Sequence, residues 1–448
     1  MKNMTRRNFL KHSLVSAASL SMAALVPTVR AAGGNEYRAL VCVLLEGGAD
    51  SCNMLVPTGT DAWENYHQLR GNMALARTEL LELPGYDYGL HPRMTKLQQL
   101  FGQGQLAVIA NVGPLVQPVS REEAAAGENI PLHLFSHNSQ RDLWMTANAR
   151  NIERTGWAGR LKARMADNSP FFNTSVSGRD LMQRGPGGDA MVVNGDIAPF
   201  DDFYRVRDGD TDAGLPYRKM IRLGQKHENL LVRSFADTRQ NELELLESAG
   251  GMLDGVETST AFPTGVHESG KPLGEQLQLV ARLIQASQIP GNVPGNPQRQ
   301  IFFVNHHGWD THNTPLDSNS HQVDYLDKSL GAFMQEMHAL GLENQVTTFT
   351  ISDFGRSLTA NGSGTDHGWG GHAWVMGGAV NAGIHGTMPD IKINSPDALD
   401  DRLIPTLSVE QYLATLSRWF GAGEDDIDVA FPNLGSFSTR DLGFMSAT

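Results

Sequence analysis

The chain has 448 residues, of which 40% are hydrophobic, and its 36 basic and 49 acidic residues give a formal net charge of −13. This length allows a sizeable core in one large or two ordinary domains. The excess of acid argues against nucleic acid and against anionic membranes as partners. Two cysteines make no disulfide framework, and we expect Cys42, inside an apolar run, to be buried without a bridge to Cys52.

The first 31 residues have the three parts of a secretory signal. Arg6 and Arg7 form a twin-arginine export motif, a Ser/Ala/Leu run follows over Ser13–Val26, and Ala31 is the small residue at the end. The run is shorter than the ~20 residues that span a bilayer. We therefore predict cleavage after about Ala31, export to the periplasm by the twin-arginine translocase, and no integral membrane segment afterwards. Cleavage removes five basic residues and no acid, which takes the net charge from −13 to −18.

The mature chain has the pattern of an α/β protein. Continuous apolar runs, typical of strands buried on both faces, occur at Ala39–Leu45, Leu106–Ala110 and Ile301–Val304, and Val346–Ile351 repeats the pattern with threonines interspersed. Between the last two runs, apolar residues spaced three and four apart predict a helix that ends near Gly341. Strand, helix and strand over 301–351 then form one parallel βαβ unit. Ser408 and Gln411 predict a capping box that opens a last helix, which stops at Gly421.

The middle of the chain, about residues 164–271, lacks this alternation. It contains one long helical stretch, Tyr217 to Glu247, between loops rich in Gly, Asp and Pro. We interpret it as an inserted, partly helical region that covers or borders the sheet. The predicted fold for 32–448 is thus α/β, with a mostly parallel central sheet, helices on both faces and a mainly helical insertion.

Carboxylates and imidazoles follow the third and fourth runs. In Asp310-Thr311-His312, positions i and i+2 of an extended backbone lie on one side, so both side chains can face one ion. The alternative is a helix cap with a surface histidine. Asp353 leaves the fourth run as a second candidate ligand, and Arg356 is a candidate for binding substrate oxygens. The alternative for these two is an ion pair that fixes a turn.

Three further places carry candidate residues. Asp366 and His367 lie in a glycine-rich loop that would let both turn inward, although glycines also simply make loops. Asp50 follows the first strand, as a metal ligand or a turn residue. Ser139 lies near the start of a helix, where the helix N-terminus would favour an anionic nucleophile, and Ser136 is the next choice. Either serine also suits an ordinary helix cap.

Together these features resemble a large, poorly characterised family of exported bacterial proteins that have the fold of the alkaline phosphatase and sulfatase superfamily. The resemblance rests on the export signal, the acid after strand one, and the segments GWDTH (308–312), DFGR (353–356), DH (366–367) and TLSRWFG (415–421). It implies an alkaline-phosphatase-like fold and divalent metal ions, with zinc, manganese or calcium as candidates. The ligands would be Asp50, Asp310, His312, Asp353 and His367. Because Phe354 stands where the superfamily has a strand-end histidine, Asp366 or His137 would complete the set.

Two functions follow from this resemblance. The first is an exported metal-dependent hydrolase of phosphate or sulfate esters, in which Ser139 or a water attacks and Arg356 holds the anionic small-molecule ester. The second is a non-catalytic metal-binding or assembly partner at the cell envelope that retains the hydrolase fold. A third hypothesis is a single iron held by His312, His367 and one carboxylate.

Overall fold

A nine-stranded sheet organises the computed structural model, which describes residues 36–165, 167, 169–186, 188–193, 214–249, 251–265, 271–313 and 316–446. The predicted export signal lies outside these residues. Within them, we find no helix that combines the length and apolar character needed to span a bilayer. Cys42 and Cys52 are both buried and not bridged, as expected.

The strands are named in chain order. They are β1 (Arg38–Leu45), β2 (Leu55–Pro57), β3 (Leu81–Glu82), β4 (Tyr88–Leu90), β5 (Leu106–Gly113), β6 (Asn173–Ser175), β7 (Met191–Val192), β8 (Arg299–His306), β9 (Val346–Ser352), β10 (Arg356–Ala360), β11 (Thr365–His367), β12 (Gly371–Met376), β13 (Gly383–His385), β14 (Ala398–Leu399), β15 (Arg402–Leu403) and β16 (Leu407–Ser408). The central sheet has the order β13-β5-β12-β9-β1-β8-β6-β7, with β16 also paired to β5. Its pairs are parallel except those of β12, which is antiparallel to β5 and β9.

The described helices follow the same convention. They are α1 (Ser51–Met54), α2 (Thr60–Arg70), α3 (Thr95–Gly102), α4 (Arg121–Ala125), α5 (His137–Thr146), α6 (Trp157–Arg164), α7 (Gly214–Gln225), α8 (Leu230–Ala249), α9 (Leu273–Ser287), α10 (Leu316–Ala339), α11 (Val409–Phe420) and α12 (Glu424–Ala430). Short 3₁₀ turns lie at Gly71–Met73, Arg77–Glu79 and Leu434–Ser436.

The sheet is covered by helices on both faces. Side chains alternate along β1, so its odd-numbered residues from 39 to 45 pack in one core with α9 and α10. Its even-numbered residues, including Cys42, pack in a second core with α6 and α11. Each fully buried aliphatic side chain contributes about 1.5–3 kcal/mol relative to an exposed one. The predicted α/β architecture with a mostly parallel sheet is confirmed.

The predicted elements are found with small changes at their ends. Strands β8 and β9 both pair with β1 in parallel, with α10 between them in the chain. Gly341 follows α10 with φ +67°. Ser408 and Gln411 form the capping box of α11, which ends at Gly421 in a left-handed conformation.

The middle region differs from its prediction in two ways. The single helical stretch predicted from Tyr217 is two helices, because the chain turns at 226–229 and the Asn229 side chain accepts the backbone N–H of Leu231, 2.9 Å away, to begin α8. Strands β6 and β7 also extend the central sheet beyond β8. They are three and two residues long, too short for periodicity to reveal. The boundaries of the insertion remain a prediction.

The carboxyl ends of three central strands lie level with one another. Leu45 of β1 pairs with His306 of β8 and with Ser352 of β9. The next residue along each strand, Glu46, His307 or Asp353, therefore emerges at the same edge of the sheet. This is the edge at which open α/β sheets build their sites.

Candidate metal centre

A cluster of imidazoles and carboxylates lies at this edge. His137 comes from the first turn of α5, Asp310 and His312 from the loop after β8, and Asp366 and His367 from β11. His137, Asp310 and His367 offer ligand atoms that all lie within 4.8 Å of one another. We call His137, Asp310, His312 and His367 the histidine cluster.

The His137 ring is oriented by Asp353. Its Nδ1 lies 2.8 Å from Oδ2 of Asp353, a carboxylate oxygen that also accepts the Gly47 backbone N–H at 3.2 Å. The ring therefore donates from Nδ1, and its Nε2, 3.5 Å from Oδ2 of Asp310, keeps the lone pair. Burial raises the pKa of Asp353, and the hydrogen bond from His137 opposes that rise.

His367 is oriented by the backbone. Its Nδ1 lies 2.7 Å from the carbonyl oxygen of Phe135, which can only accept, so Nδ1 donates and Nε2 carries the lone pair. Partial burial lowers the pKa of His367, and the neighbouring His137, Arg356 and His312 lower it further, while the hydrogen bond to Phe135 opposes them. The ring is thus kept in its neutral, metal-binding form at neutral pH.

His312 repeats the pattern with another acid. Its Nδ1 lies 3.2 Å from Oδ1 of Asp366, an oxygen that also accepts from the Asn361 side chain at 2.8 Å. Its Nε2 lies 3.2 Å from Oδ1 of Asp310 and 2.7 Å from Nε2 of His367. A spacing of 2.7 Å between two ring nitrogens is that of a hydrogen bond with one proton between them, and a divalent ion bound by both nitrogens would take the place of that proton. Imidazole nitrogens and a carboxylate are the donors that zinc binds. The donor set therefore fits a bound metal ion.

Asp310 is the centre of the cluster and is half exposed. Partial burial acts to raise its pKa, but the hydrogen bond and charge of Arg356, with His137 and His312, outweigh it, so the pKa lies below the ordinary value. The carboxylate is therefore ionised at neutral pH. Its exposure leaves one side of the cluster open to solvent.

Arg356 lies beside the cluster but is fully buried. Its Nη2 donates to Oδ1 of Asp310 at 2.6 Å. Its remaining hydrogen bonds go to the backbone carbonyl oxygens of Gly47, Gly48, Trp309 and Thr365, at 2.6 to 3.0 Å. In this arrangement the guanidinium holds Asp310 in place and presents no N–H group to solvent, in contrast to the substrate-binding role expected for it.

The loop after β1 fits closely against the cluster. Gly47 has φ +117°, and a Cβ there would lie 2.3 Å from the Asp310 backbone nitrogen. Gly48 has φ +86°, and its Cβ would lie 2.3 Å from the Phe354 ring. That ring packs between two histidines, with ring centroids 4.8 Å from His137 and 4.6 Å from His367. Glycines are required here by close packing.

Asp50 lies apart from the cluster. Both of its carboxylate oxygens accept hydrogen bonds from Arg70 at 2.8 Å, and both side chains are buried. Of the predicted ligands, the structure brings Asp310, His312 and His367 to one point. It places Asp353 and Asp366 behind the rings that they orient.

Ser139 also lies apart. Residues two apart on a helix point about 200° away from each other, so Ser139 and His137 occupy opposite sides of α5. Ser139 lines a pocket of about 180 Å³ formed with Asp142, Thr146, Arg150 and other residues of 132–153. Ser136 is the N-cap residue of α5, and its side chain makes no capping hydrogen bond.

A second polar group at the edge was missed by sequence reasoning. Glu46 accepts from Arg141 at 2.5 Å, from the His307 ring at 2.5 Å and from the Asn305 side chain at 2.6 Å. Arg141 lies four residues after His137 on α5, so both face the same side of the helix. This i, i+4 spacing was the available signal for Arg141.

Comparisons with known proteins give fold-level likeness. A family model described as a protein of unknown function, DUF1501, matches residues 295–422, the segment that carries the described cluster apart from His137. No curated protein matches the sequence.

Solved structures match over most of the chain. The soluble domain of lipooligosaccharide phosphoethanolamine transferase A from Neisseria meningitidis is 10% identical, with 89% of this chain and 94% of that chain covered and a TM-score of 0.38. A protein in the alkaline phosphatase superfamily from Vibrio parahaemolyticus is 11% identical, with 94% and 76% covered and a TM-score of 0.37. The periplasmic domain of EcEptC from Escherichia coli is 11% identical, with 91% and 86% covered and a TM-score of 0.36. All three matches have TM-scores below 0.5, so they carry no family, residue role or activity to this chain, and the resemblance to the superfamily stays a prediction.

Proposed function

We propose that this chain is an exported metal-dependent hydrolase of phosphate or sulfate esters. The observation that carries the proposal is the common orientation of three rings. His137, His312 and His367 each place Nδ1 against an oxygen acceptor, which leaves Nε2 of each ring turned toward Asp310. Metal-binding histidines have this arrangement, in which the second nitrogen is fixed by a carboxylate or a carbonyl.

The histidine cluster would hold the ion. Imidazole nitrogens with one carboxylate favour zinc over calcium, and manganese remains a candidate. A bound divalent ion would supply Lewis-acid polarisation of the ester and a lowered pKa for water. The chain's own residues contribute the three ring nitrogens, the ionised Asp310 and the Arg356 guanidinium that fixes that carboxylate.

Arg141 is the cation best placed for the anionic ester. It is one quarter exposed, whereas the Arg356 side chain has no exposed surface. It shares one side of α5 with His137. Its Nη1 is held by Glu46 and its Nη2 by Asn138. Since Ser139 lies on the opposite side of the helix, we expect water rather than Ser139 to attack.

A non-catalytic metal-binding partner at the cell envelope is the second candidate. The observation that favours it is the packing of Phe354 between His137 and His367, together with the buried state of Arg356. The Phe354 ring cannot take part in acid–base chemistry, and the buried Arg356 guanidinium cannot reach a substrate, whereas a hydrolase would expose polar groups at these positions.

Elemental analysis of the mature protein tests the metal site first. After equilibration with zinc, manganese or calcium, we expect one ion per chain, with zinc retained best. Alanine at Asp310, His312 or His367 should lower the metal content. At either histidine the melting temperature should fall only when metal is supplied. Asp310→Ala also removes the carboxylate partner of the buried Arg356, so it should lower the melting temperature in both conditions and more when metal is supplied. His338→Ala, at a mostly exposed histidine, is the control. Equal destabilisation with and without metal would show that these residues only pack.

A panel of aryl phosphate, phosphodiester and aryl sulfate substrates then tests catalysis. Arg141→Gln should raise KM more than it lowers kcat, while the metal content stays unchanged. Ser139→Ala should retain most of the turnover. Loss of all turnover in Ser139→Ala would instead support Ser139 as the nucleophile. Retained metal without turnover on any ester would favour the non-catalytic partner, and retained iron would favour the third hypothesis.

A further inference from the structure

Helices α7 and α8 form a hairpin whose end carries an unusual surface. The helices pack closely where a Cβ on Gly224 would lie 2.8 Å from the Cβ of Ala236, and Gln225 donates to Asp237 at 3.0 Å. Ile221 and Ala236 are buried. We call residues 218–235, which include the turn between the helices, the hairpin tip.

The hairpin tip exposes many apolar side chains. Six of the twelve exposed large hydrophobic residues in the described part of the chain lie within it. They are Met220, Leu223, Leu230, Leu231, Val232 and Phe235. Leu231 is 78% exposed and Leu230 is 69% exposed. A concentration of exposed apolar side chains on one hairpin is typical of an interaction site.

The same segment is basic, in contrast to the rest of the chain. Its charged residues are Arg218, Lys219, Arg222, Lys226, Glu228 and Arg233, which give a net charge of +4. The remainder of α8, residues 236–249, has a net charge of −3, and the whole chain has −13. The hairpin is therefore polarised, with its positive charge concentrated around the turn.

We propose that the hairpin tip binds the surface of an anionic lipid bilayer. Exposed leucines and a phenylalanine beside lysines and arginines are the composition of segments that lie in the headgroup region, where apolar side chains enter the acyl boundary and basic ones contact phosphates. Charges more than about 8 Å from the surface are screened at physiological ionic strength. The tip's own charge thus decides the attraction, although the chain as a whole is acidic.

The alternative partner for the hairpin tip is the tip of a second copy of this chain, and the charge of the tips argues against that pairing. Two tips of net charge +4 placed face to face would repel, whereas anionic headgroups neutralise both. The proposal is independent of the metal centre.

Vesicle flotation with the mature chain tests the proposal. We expect binding to vesicles of phosphatidylglycerol mixed with phosphatidylcholine, weakened by high salt, and little binding to phosphatidylcholine alone. Each basic residue at an anionic surface contributes about 1 kcal/mol, so Lys219→Gln, Arg222→Gln and Lys226→Gln together should lower partitioning on the order of 100-fold. Leu230→Asn with Leu231→Asn should lower it roughly tenfold or more.

Matched controls are Ile393→Asn and Arg121→Gln, an exposed apolar and an exposed basic residue elsewhere, which should bind like the wild type. Circular dichroism and the melting temperature should be unchanged in all variants because the altered residues are exposed. Equal binding to anionic and neutral vesicles, or wild-type binding by both hairpin variants, would overturn the proposal. So would a change of oligomeric state in the hairpin variants on sedimentation, which would make the tip a protein interface.

Discussion

The Nδ1 of His137 lies 2.8 Å from Oδ2 of Asp353, and this contact joins the first residue of a helix to the residue that directly follows a central strand. The ring cannot rotate without losing the hydrogen bond. Asp353 also accepts the Gly47 N–H, so the loop after β1 is fixed to the same carboxylate. One buried acid thus sets the direction of the Nε2 that faces Asp310.

We predict that Asp353 acts on metal affinity without contacting the ion. Asp353→Ala removes the acceptor and should weaken zinc binding about 100-fold, while Asp353→Asn keeps an acceptor without charge and should cost about tenfold. Because burial raises the pKa of Asp353, its ionised form adds no stability at neutral pH, so Asp353→Asn should not lower the metal-free melting temperature. Zinc titration with a competing chelator measures the affinities, with Asp441→Asn as the exposed control. Unchanged affinity in both variants would remove Asp353 from the site.

Arg356 should be mainly structural. Arg356→Gln would leave Asp310 and several buried carbonyl oxygens without their donor, at an expected cost of about 3–5 kcal/mol in the free energy of unfolding. The ion pair of Arg164, whose side chain is about half exposed, with Asp426 provides a comparison, and Arg164→Gln should cost about 1 kcal/mol or less. Urea unfolding of the metal-free protein measures both. A stable Arg356→Gln variant with a raised KM would instead support the substrate-binding role.

His91 should make stability depend on pH. Burial lowers its pKa to about 4, so the neutral form is favoured in the folded state. Its contribution is present above the unfolded pKa of about 6.5 and is lost as the pH falls toward 4. Comparison of the metal-free wild type with His91→Gln, by urea unfolding at several pH values, should show the wild type losing up to ~3 kcal/mol more across this window. Parallel pH profiles would contradict it.

Export should depend on the arginine pair. Replacing Arg6 and Arg7 together by Lys should retain the protein in the cytoplasm, because the pair ahead of the apolar run is the recognised address. Lys2→Gln, at a basic residue ahead of the motif over residues 5–11, is the control. Cell fractionation and detection of the cleaved form measure the outcome, and wild-type amounts in the periplasm would show that another signal directs export.

The fold was predictable where burial leaves a pattern. Strands β1, β5, β8 and β9 each contain a mainly apolar run because both of their faces are covered, and α10 and α11 carry clear apolar stripes with recognisable ends. Strands β6 and β7 are too short to show a period. The turn between α7 and α8 interrupts a helical pattern that continues through it, so it became visible only in the structure.

The residues of the candidate site could be predicted from their positions after strands and in loops. Their ion-pair and hydrogen-bond partners could not. Asp310, His312 and His367 follow strands or lie in tight loops, which places them at one edge. Asp50 has the same local setting, but its partner Arg70 lies 20 residues away, and no local pattern indicates that salt bridge. The commitment of Arg356 to backbone carbonyl oxygens is likewise a property of the assembled loops. The i, i+4 relation of His137 and Arg141 is local, and it was the one overlooked signal.

The three rings of the cluster come from distant parts of the chain. His137 lies on α5, and His312 and His367 lie 175 and 230 residues further along the sequence. No short fragment contains all three. An unfolded or partly folded chain therefore cannot bind an ion with this donor set. Binding of the ion by all three rings would require that folding is complete. The predicted twin-arginine route exports proteins that are already folded. On that route the cluster would bind an ion that is available in the cytoplasm, and the metal found in the exported protein would indicate that folding was completed there.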